Sequence, residues 1–153
     1  MAIGSSHQKS VCNCTALRKA TRRVSQLYDS ALEPCGIRAT QRTILSQIAR
    51  SGTPPLGELA EVLVMDRGAL THNLKPLARD GLVKISVDPH DRRNRLVALT
   101  AQGRAKLAES DALWARAQRG FEAGFGAAKS ASLRKALEYL VSDDFVNAFH
   151  GHR

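Results

Sequence analysis

Two clusters of side chains between Arg67 and Arg95 have the chemistry to hold nucleic acid. In the first, Arg67, Thr71, His72, Asn73 and Lys75 fall within about three turns of a helix. Arginine pairs bidentately with a guanine edge and asparagine with an adenine edge, while Thr71 and His72 reach base or phosphate and Lys75 suits phosphate. The second cluster is the run DPHDRRNR, which sets Arg92, Arg93 and Arg95 near a hairpin tip. A narrow minor groove attracts an inserted arginine. Asp88 and Asp91 are the wrong charge for phosphate, so an aspartate is expected to pair with an arginine and aim it, as in Asp-x-Arg, with Arg93 two positions after Asp91. Alone, the run reads equally well as a generic charged tip; directly after a helix-turn-helix it reads as a wing.

The elements that must position these groups lie between Pro55 and Thr100. Leu56, Leu59, Ala60 and Leu63 form one face of a short helix, with Ala60 small where another helix crosses. Met65-Asp66 is expected to make the turn, with Asp66 capping the next helix. On that helix Leu70, Leu74 and Leu77 point inward and Gly81 closes it in a left-handed conformation. Pro76 removes a backbone bond and clashes with the His72 carbonyl, which predicts a kink or local loosening. Leu82–Val87 alternates as a strand, and Leu96–Leu99 is its return partner.

Outside this unit the patterning is helical. From Val11, the residues Leu17, Ala20, Val24, Leu27 and Ala31 step by three and four, the spacing of a helix-helix seam ended by Pro34 and Gly36. Arg18, Lys19, Arg22 and Arg23 read as its solvated face. A helix from Thr40 to Arg50, with Thr40 as cap, carries Ile44, Leu45 and Ile48. After Thr100, another cap, Leu107, Ser110, Trp114, Ala117, Phe121 and Gly124 make a second seam. Leu133 to Phe149 fall on a single helix from about Ser130. The expected fold is mainly α with a small β-wing: a winged helix-turn-helix lobe at 37–100, and an entwined dimerisation region from a helix at 11–36 and helices at 101–149. Residues 1–10 are expected to form a mobile tail.

Composition narrows the class. The 153 residues carry a formal charge of +9, which favours an anionic partner such as double-stranded DNA. No apolar run approaches the ~20 residues of a membrane span, and the opening MAIGSSHQKSVCNC lacks the apolar core of a signal peptide. A cytoplasmic protein with no membrane partner is expected. Three cysteines, an odd number, do not make a secreted disulfide framework.

Those cysteines raise a second chemistry. Cys12 and Cys14 sit at or near a helix N-terminus, with Arg18 one turn beyond Cys14; both features favour a thiolate and its oxidation. Redox sensing competes here with a plain structural thiol, and Cys35 reads as inert or as a resolving partner. A zinc site from Cys12, Cys14 and His7 is poorly spaced, and neither a metal nor a cofactor is expected. No Cys-His pairing points to catalysis. Three functions are therefore weighed: a DNA-binding regulator, a thiol-dependent peroxidase-like enzyme using Cys14, and a protein-binding winged domain. The polar face Arg67, Thr71, His72 and Lys75 favours the first, since a protein-docking face would be more apolar.

The stretch LGELAEVLVMDRGALTHNLKPLARDGLV followed by DPHDRRNRLVALTAQG resembles the MarR family of transcriptional regulators, and the likeness extends from about Cys14 to Phe149. It implies a homodimer whose terminal helices entwine, with two lobes reading a palindromic operator and released by a small-molecule effector or an organic oxidant. The segment CTALRKATRRVSQLYDSALEPCGIRATQ is similar to the start of the organic-hydroperoxide-sensing branch. The resemblance puts Cys14 at the reactive position and Tyr28 on a tyrosine of that branch, while Arg18 and Ala39 stand where two further tyrosines bond the sulfur.

Overall fold

The computed structural model describes residues 11–152; the expected tail at 1–10 lies outside them, as does His7. Seven helices and one hairpin follow in order: α1 (Asn13–Leu32), α2 (Ala39–Ser51), α3 (Leu56–Val62), α4 (Arg67–Arg79), β1 (Val83–Val87), β2 (Arg95–Leu99), α5 (Ala101–Phe125), α6 (Ala127–Leu140) and α7 (Asp143–His150), with a 3-10 turn Glu33–Cys35 after α1. This is the expected winged helix-turn-helix, mainly helical with a two-stranded antiparallel wing.

The core gathers the apolar faces read from the sequence. Ile44, Leu45 and Ile48 of α2, Leu59 and Ala60 of α3, and Leu70, Leu74 and Leu77 of α4 are all buried, closed over by Leu82, Val83, Val97 and Leu99. Strand β1 leaves this core after Val83, while β2 stays in it at Val97 and Leu99. Val83 opposes Leu99, Ile85 opposes Val97 and Val87 opposes Arg95, yet Ile85 and Val87 are exposed. Their alternation reflects strand geometry and not a buried face. A third strand position comes from the connector: Val97 donates to the Pro54 carbonyl at 3.0 Å, and Pro55 bridges Leu96.

Three expectations are corrected. Thr40 does not cap α2. Helix α2 begins at Ala39, whose N–H donates to Asp29 Oδ1 at 2.7 Å, while the Arg38 N–H donates to Gln41 Oε1 at 2.9 Å. The turn between α3 and α4 centres on Val64, a left-handed residue at φ 52°, with Met65 donating back to Ala60 at 2.9 Å. A β-branched residue there is strained. Pro76 lies inside α4, which continues as one helix to Arg79. Finally, the single helix expected from Ser130 to Phe149 is two, because Ser142 Oγ accepts from the Phe145 N–H and starts α7, with Asp143 and Asp144 in its first turn.

One crossing ties lobe, wing and long helix together. Thr100 caps α5 by accepting from the Gly103 N–H at 3.0 Å, and its own hydroxyl donates to the Gly81 carbonyl. Its backbone N–H donates to the Leu82 carbonyl at 3.1 Å. Gly103 is buried here, and a Cβ on it would collide with the Leu82 carbonyl oxygen. Gly103→Ala is expected to destabilise the fold by about 1–3 kcal/mol through overpacking, read as a lower urea midpoint at an unchanged slope.

Candidate nucleic-acid interface

Helix α4 is built to present one face. Asp66 caps it, its Oδ1 accepting from the Ala69 N–H at 2.8 Å. Gly81, at φ 73°, ends it: Leu82 donates to the Leu77 carbonyl at 2.9 Å and Gly81 to that of Ala78 at 3.1 Å, a Schellman closure. With Leu70, Leu74 and Leu77 buried, Arg67, Thr71, His72 and Lys75 are left exposed along the opposite side. These four residues therefore share one solvent-facing surface.

The fifth residue of that cluster is placed differently. Asn73 is half-buried, and its amide donates to the Ala69 carbonyl at 2.8 Å. A donor committed to its own helix is not presented for two-point pairing with adenine, so the base-reading expectation for Asn73 is weakened. Thr71 also donates back, to the Arg67 carbonyl at 2.7 Å, but stays exposed with its oxygen able to accept. Arg67 folds across the start of α3. A Cβ on Gly57 would come 2.6 Å from Arg67 Nη2, so a side chain at Gly57 would displace the guanidinium. Sequence reasoning passed over Gly57, because nothing local marks it as the floor beneath an arginine ten positions away.

In the wing the aspartates build the loop. Asp88 Oδ1 accepts from the His90 N–H at 2.8 Å, and the Asp88 N–H donates to the Asn94 carbonyl at 3.1 Å. Asp91 holds Arg93 through Nε on Oδ1 at 3.1 Å and Nη2 on Oδ2 at 3.3 Å, the expected Asp-x-Arg pairing. Arg93 nevertheless remains 90% exposed. Arg95, also exposed, folds back on the loop backbone, its Nη1 donating to the carbonyls of Arg92 at 3.2 Å and Asn94 at 3.4 Å. Arg92 is exposed beside Val87, Asp88 and Pro89. Arg93 is therefore the arginine held outward by a partner.

The two candidate thiols lie at the far end of α1. Cys12 is the N-cap, its Sγ accepting from the Thr15 N–H at 3.5 Å, and the hydrogen bonds from Thr15 pull its pKa below that of an ordinary thiol. Cys14 is exposed in the first turn. Cys35 is buried, with Sγ donating to the Leu32 carbonyl at 3.1 Å. Tyr28 sits about 21 Å along the helix axis from Cys14 and donates to Gln118 Oε1 at 2.8 Å, so within one chain it cannot touch that sulfur. Among the described residues no cluster of His, Cys, Asp and Glu could hold a metal ion, and no helix is long and apolar enough to cross a membrane.

Comparison with known proteins places this geometry. The model of the MarR family matches residues 37–94, which spans the lobe from the start of α2 to the wing tip. The multiple antibiotic resistance protein MarR of Salmonella typhimurium is 37% identical over 84 residues, covering 55% of this chain and 58% of that relative's length. Among solved structures, the transcriptional regulator MosR of M. tuberculosis in complex with DNA is 35% identical with a TM-score of 0.71, over 84% of this chain and 97% of that one. A mutant MarR of E. coli complexed with operator DNA gives a TM-score of 0.75 at 27% identity, over 84% of this chain and 93% of that one.

The Asp91–Arg93 pair yields a pH prediction. The hydrogen bonds from Arg93 hold the Asp91 carboxyl below its ordinary value. A lowered folded-state pKa means the pairing is fully present above the ordinary carboxylate range and lost only as pH falls through the lowered value. Carboxyl-carbon NMR should show Asp91 titrating below the ordinary carboxylate range, and Arg93→Ala should return it to that range. An unmoved midpoint would count against the pairing.

Proposed function

The chain belongs to the MarR family, and from that premise we propose that it is a homodimeric transcriptional regulator binding a palindromic operator in double-stranded DNA. One observation carries the reading: the exposed face of α4, with Arg67, Thr71, His72 and Lys75, belongs to the same lobe as a wing whose Arg93 is held outward by Asp91. A helix of this kind fits the major groove with its N-terminal residues at base edges, while an arginine-tipped hairpin follows the adjacent minor groove. That similar proteins of E. coli and M. tuberculosis have been solved in complex with DNA supports the DNA-binding reading.

Pairing of two chains is supported by apolar side chains that one chain leaves uncovered. Leu17 and Leu27 of the α1 seam are exposed, as are Leu137, Val141, Val146 and Phe149 near the C-terminal end. The second expected seam is only partly available. Its Leu107, Ser110 and Trp114 are taken up by the chain's own core and α2, which leaves Ala117, Phe121 and Gly124 toward the far end, with the exposed Phe125 beside them. The division into a lobe at 37–100 flanked by dimerisation helices at 11–36 and 101–149 accords with this burial. Two lobes so joined would meet half-sites about one helical turn apart.

The protein is read as a regulator and not an enzyme, acting in the cytoplasm, and released by an organic oxidant or a small-molecule effector. The exposed Cys12 at the helix N-terminus, its pKa lowered by hydrogen bonds from Thr15, favours the oxidant, because the thiolate is the form of a cysteine that a hydroperoxide oxidises to a sulfenic acid. Repression is the expected mode, since a dimer seated on an operator obstructs transcription.

Binding to its own upstream region should fall steeply with salt, as several phosphates are neutralised. Arg67→Ala should relax preference at one base at a cost of about 1–3 kcal/mol, whereas Arg93→Ala should weaken all sequences alike and lower the salt slope by about one. Absence of any shift at low salt would sink the reading. Organic hydroperoxide should release DNA from the wild type, and the release should be lost in Cys12→Ser or Cys14→Ser. Equal release in both variants would place the oxidation elsewhere in the chain, and no release from the wild type would move the signal to a small molecule.

A further inference from the structure

One cation of the lobe is used for something other than DNA. Arg42, on α2, has a side chain only 11% exposed. Its Nε donates to Ser110 Oγ at 2.9 Å, and Ser110 is wholly buried in α5. Its Nη2 meets Asp111 Oδ1 at 2.7 Å, and its guanidinium carbon lies 4.4 Å from the centroid of the Trp114 ring. One planar group thus contacts three residues within two turns of α5, by hydrogen bond, ion pair and cation-π stacking.

The contact continues into α1. Trp114 meets the Tyr28 ring edge-on at 4.8 Å, and the Tyr28 hydroxyl donates to Gln118. Burial raises the Tyr28 pKa, which keeps that hydroxyl protonated as a donor. The connection therefore runs from α2 in the lobe, through Arg42 and Trp114, to Tyr28 on the helix read as half of the dimer seam. The stretch it spans is short: α5 starts after the wing at Thr100, and Arg42 grips it at Ser110. Lys106 adds a smaller tie, donating to the Cys35 carbonyl at 3.0 Å.

We infer that Arg42 is a positioning residue that sets the angle between the winged lobe and the dimer helices, and through it the half-site spacing that the dimer accepts. A charge withdrawn from water must keep its partners, so the guanidinium has one low-energy seat. Two seats related by the dimer axis would make the separation of the two α4 helices a fixed length. An operator with its half-sites moved would then have to strain this contact or lose one lobe. The inference rests on the proposed reading as a dimeric operator-binding protein.

The test separates the two. Operators are selected from random duplex DNA with the full-length wild type, and the half-sites are then moved apart or together one base pair at a time. The wild type should lose about tenfold or more per inserted base pair, because the second lobe no longer engages at high effective concentration. Arg42→Gln should flatten that profile to about threefold or less while leaving affinity for a single half-site unchanged. A purely structural role would lower all affinities together and leave the profile's shape intact. Should Arg42→Gln not fold, Asp111→Asn removes the exposed end of the clamp, and the same flattening in weaker form is expected. A wild-type profile in the variant that folds overturns the inference and leaves the regulator reading standing. Failure of the wild type to select any paired half-sites overturns both.

Discussion

Helix α4 can serve as a reading surface only because its other side is held. Leu70, Leu74 and Leu77 are 0–1% exposed, and their burial against α2, α3 and the base of the wing sets the rotation of the helix about its axis. Rotation is what decides which groups face outward, since residues on one helix face recur every three or four positions. Asp66 fixes where the helix begins and Gly81 where it ends. The Schellman closure hands the chain directly to Leu82 and the first strand, so the position of the wing follows from the end of the helix it accompanies. A stripe of leucines thereby controls both halves of the polar surface.

Within that surface most charged groups serve the shape of the loop before they serve any ligand. Asp88 and Arg95 satisfy loop backbone, and Asp91 directs Arg93. The pairing on the wing is solvent-exposed and weak in stability terms; its effect is to limit the orientations of one arginine. Arg42 shows the opposite use of charge. Its guanidinium is withdrawn from water and held on three sides, and so it can fix the relation of two structural units. The same residue type can meet an anion when exposed and can act as a joint when buried, and only the surroundings distinguish the two.

Much of this was legible beforehand. The order of elements, the inward leucines, the caps at Asp66 and Thr100, and the stop at Gly81 all follow from groups within about five residues of one another. So does the Asp91–Arg93 pair. Not every local signal was read well: Ser142 ahead of two aspartates starts α7, and Gln41 with Asp29 displaced Thr40 as the cap of α2. Residue type suits Asn73 to adenine only if it faces the groove, and that condition depends on the packing of α4, where Asn73 is half-buried with its amide donating to the Ala69 carbonyl.

By itself the sequence determined the helix-turn-helix, its wing and the polar face of α4, because hydrophobic period, capping and turn chemistry act at short range. Only the tertiary structure decided which arginine does what. Arg42 and Ser110 are separated by 68 positions, and Gly103 matters because Leu82 passes against it. Gly57 matters because Arg67 folds over it. Contacts of that kind leave no periodic trace in a chain, since they arise from the way packed elements cross. The face of α4 that meets solvent could be read from its leucines, whereas the joint proposed to hold two such faces at a set distance became visible only once α2, α5 and α1 were packed together.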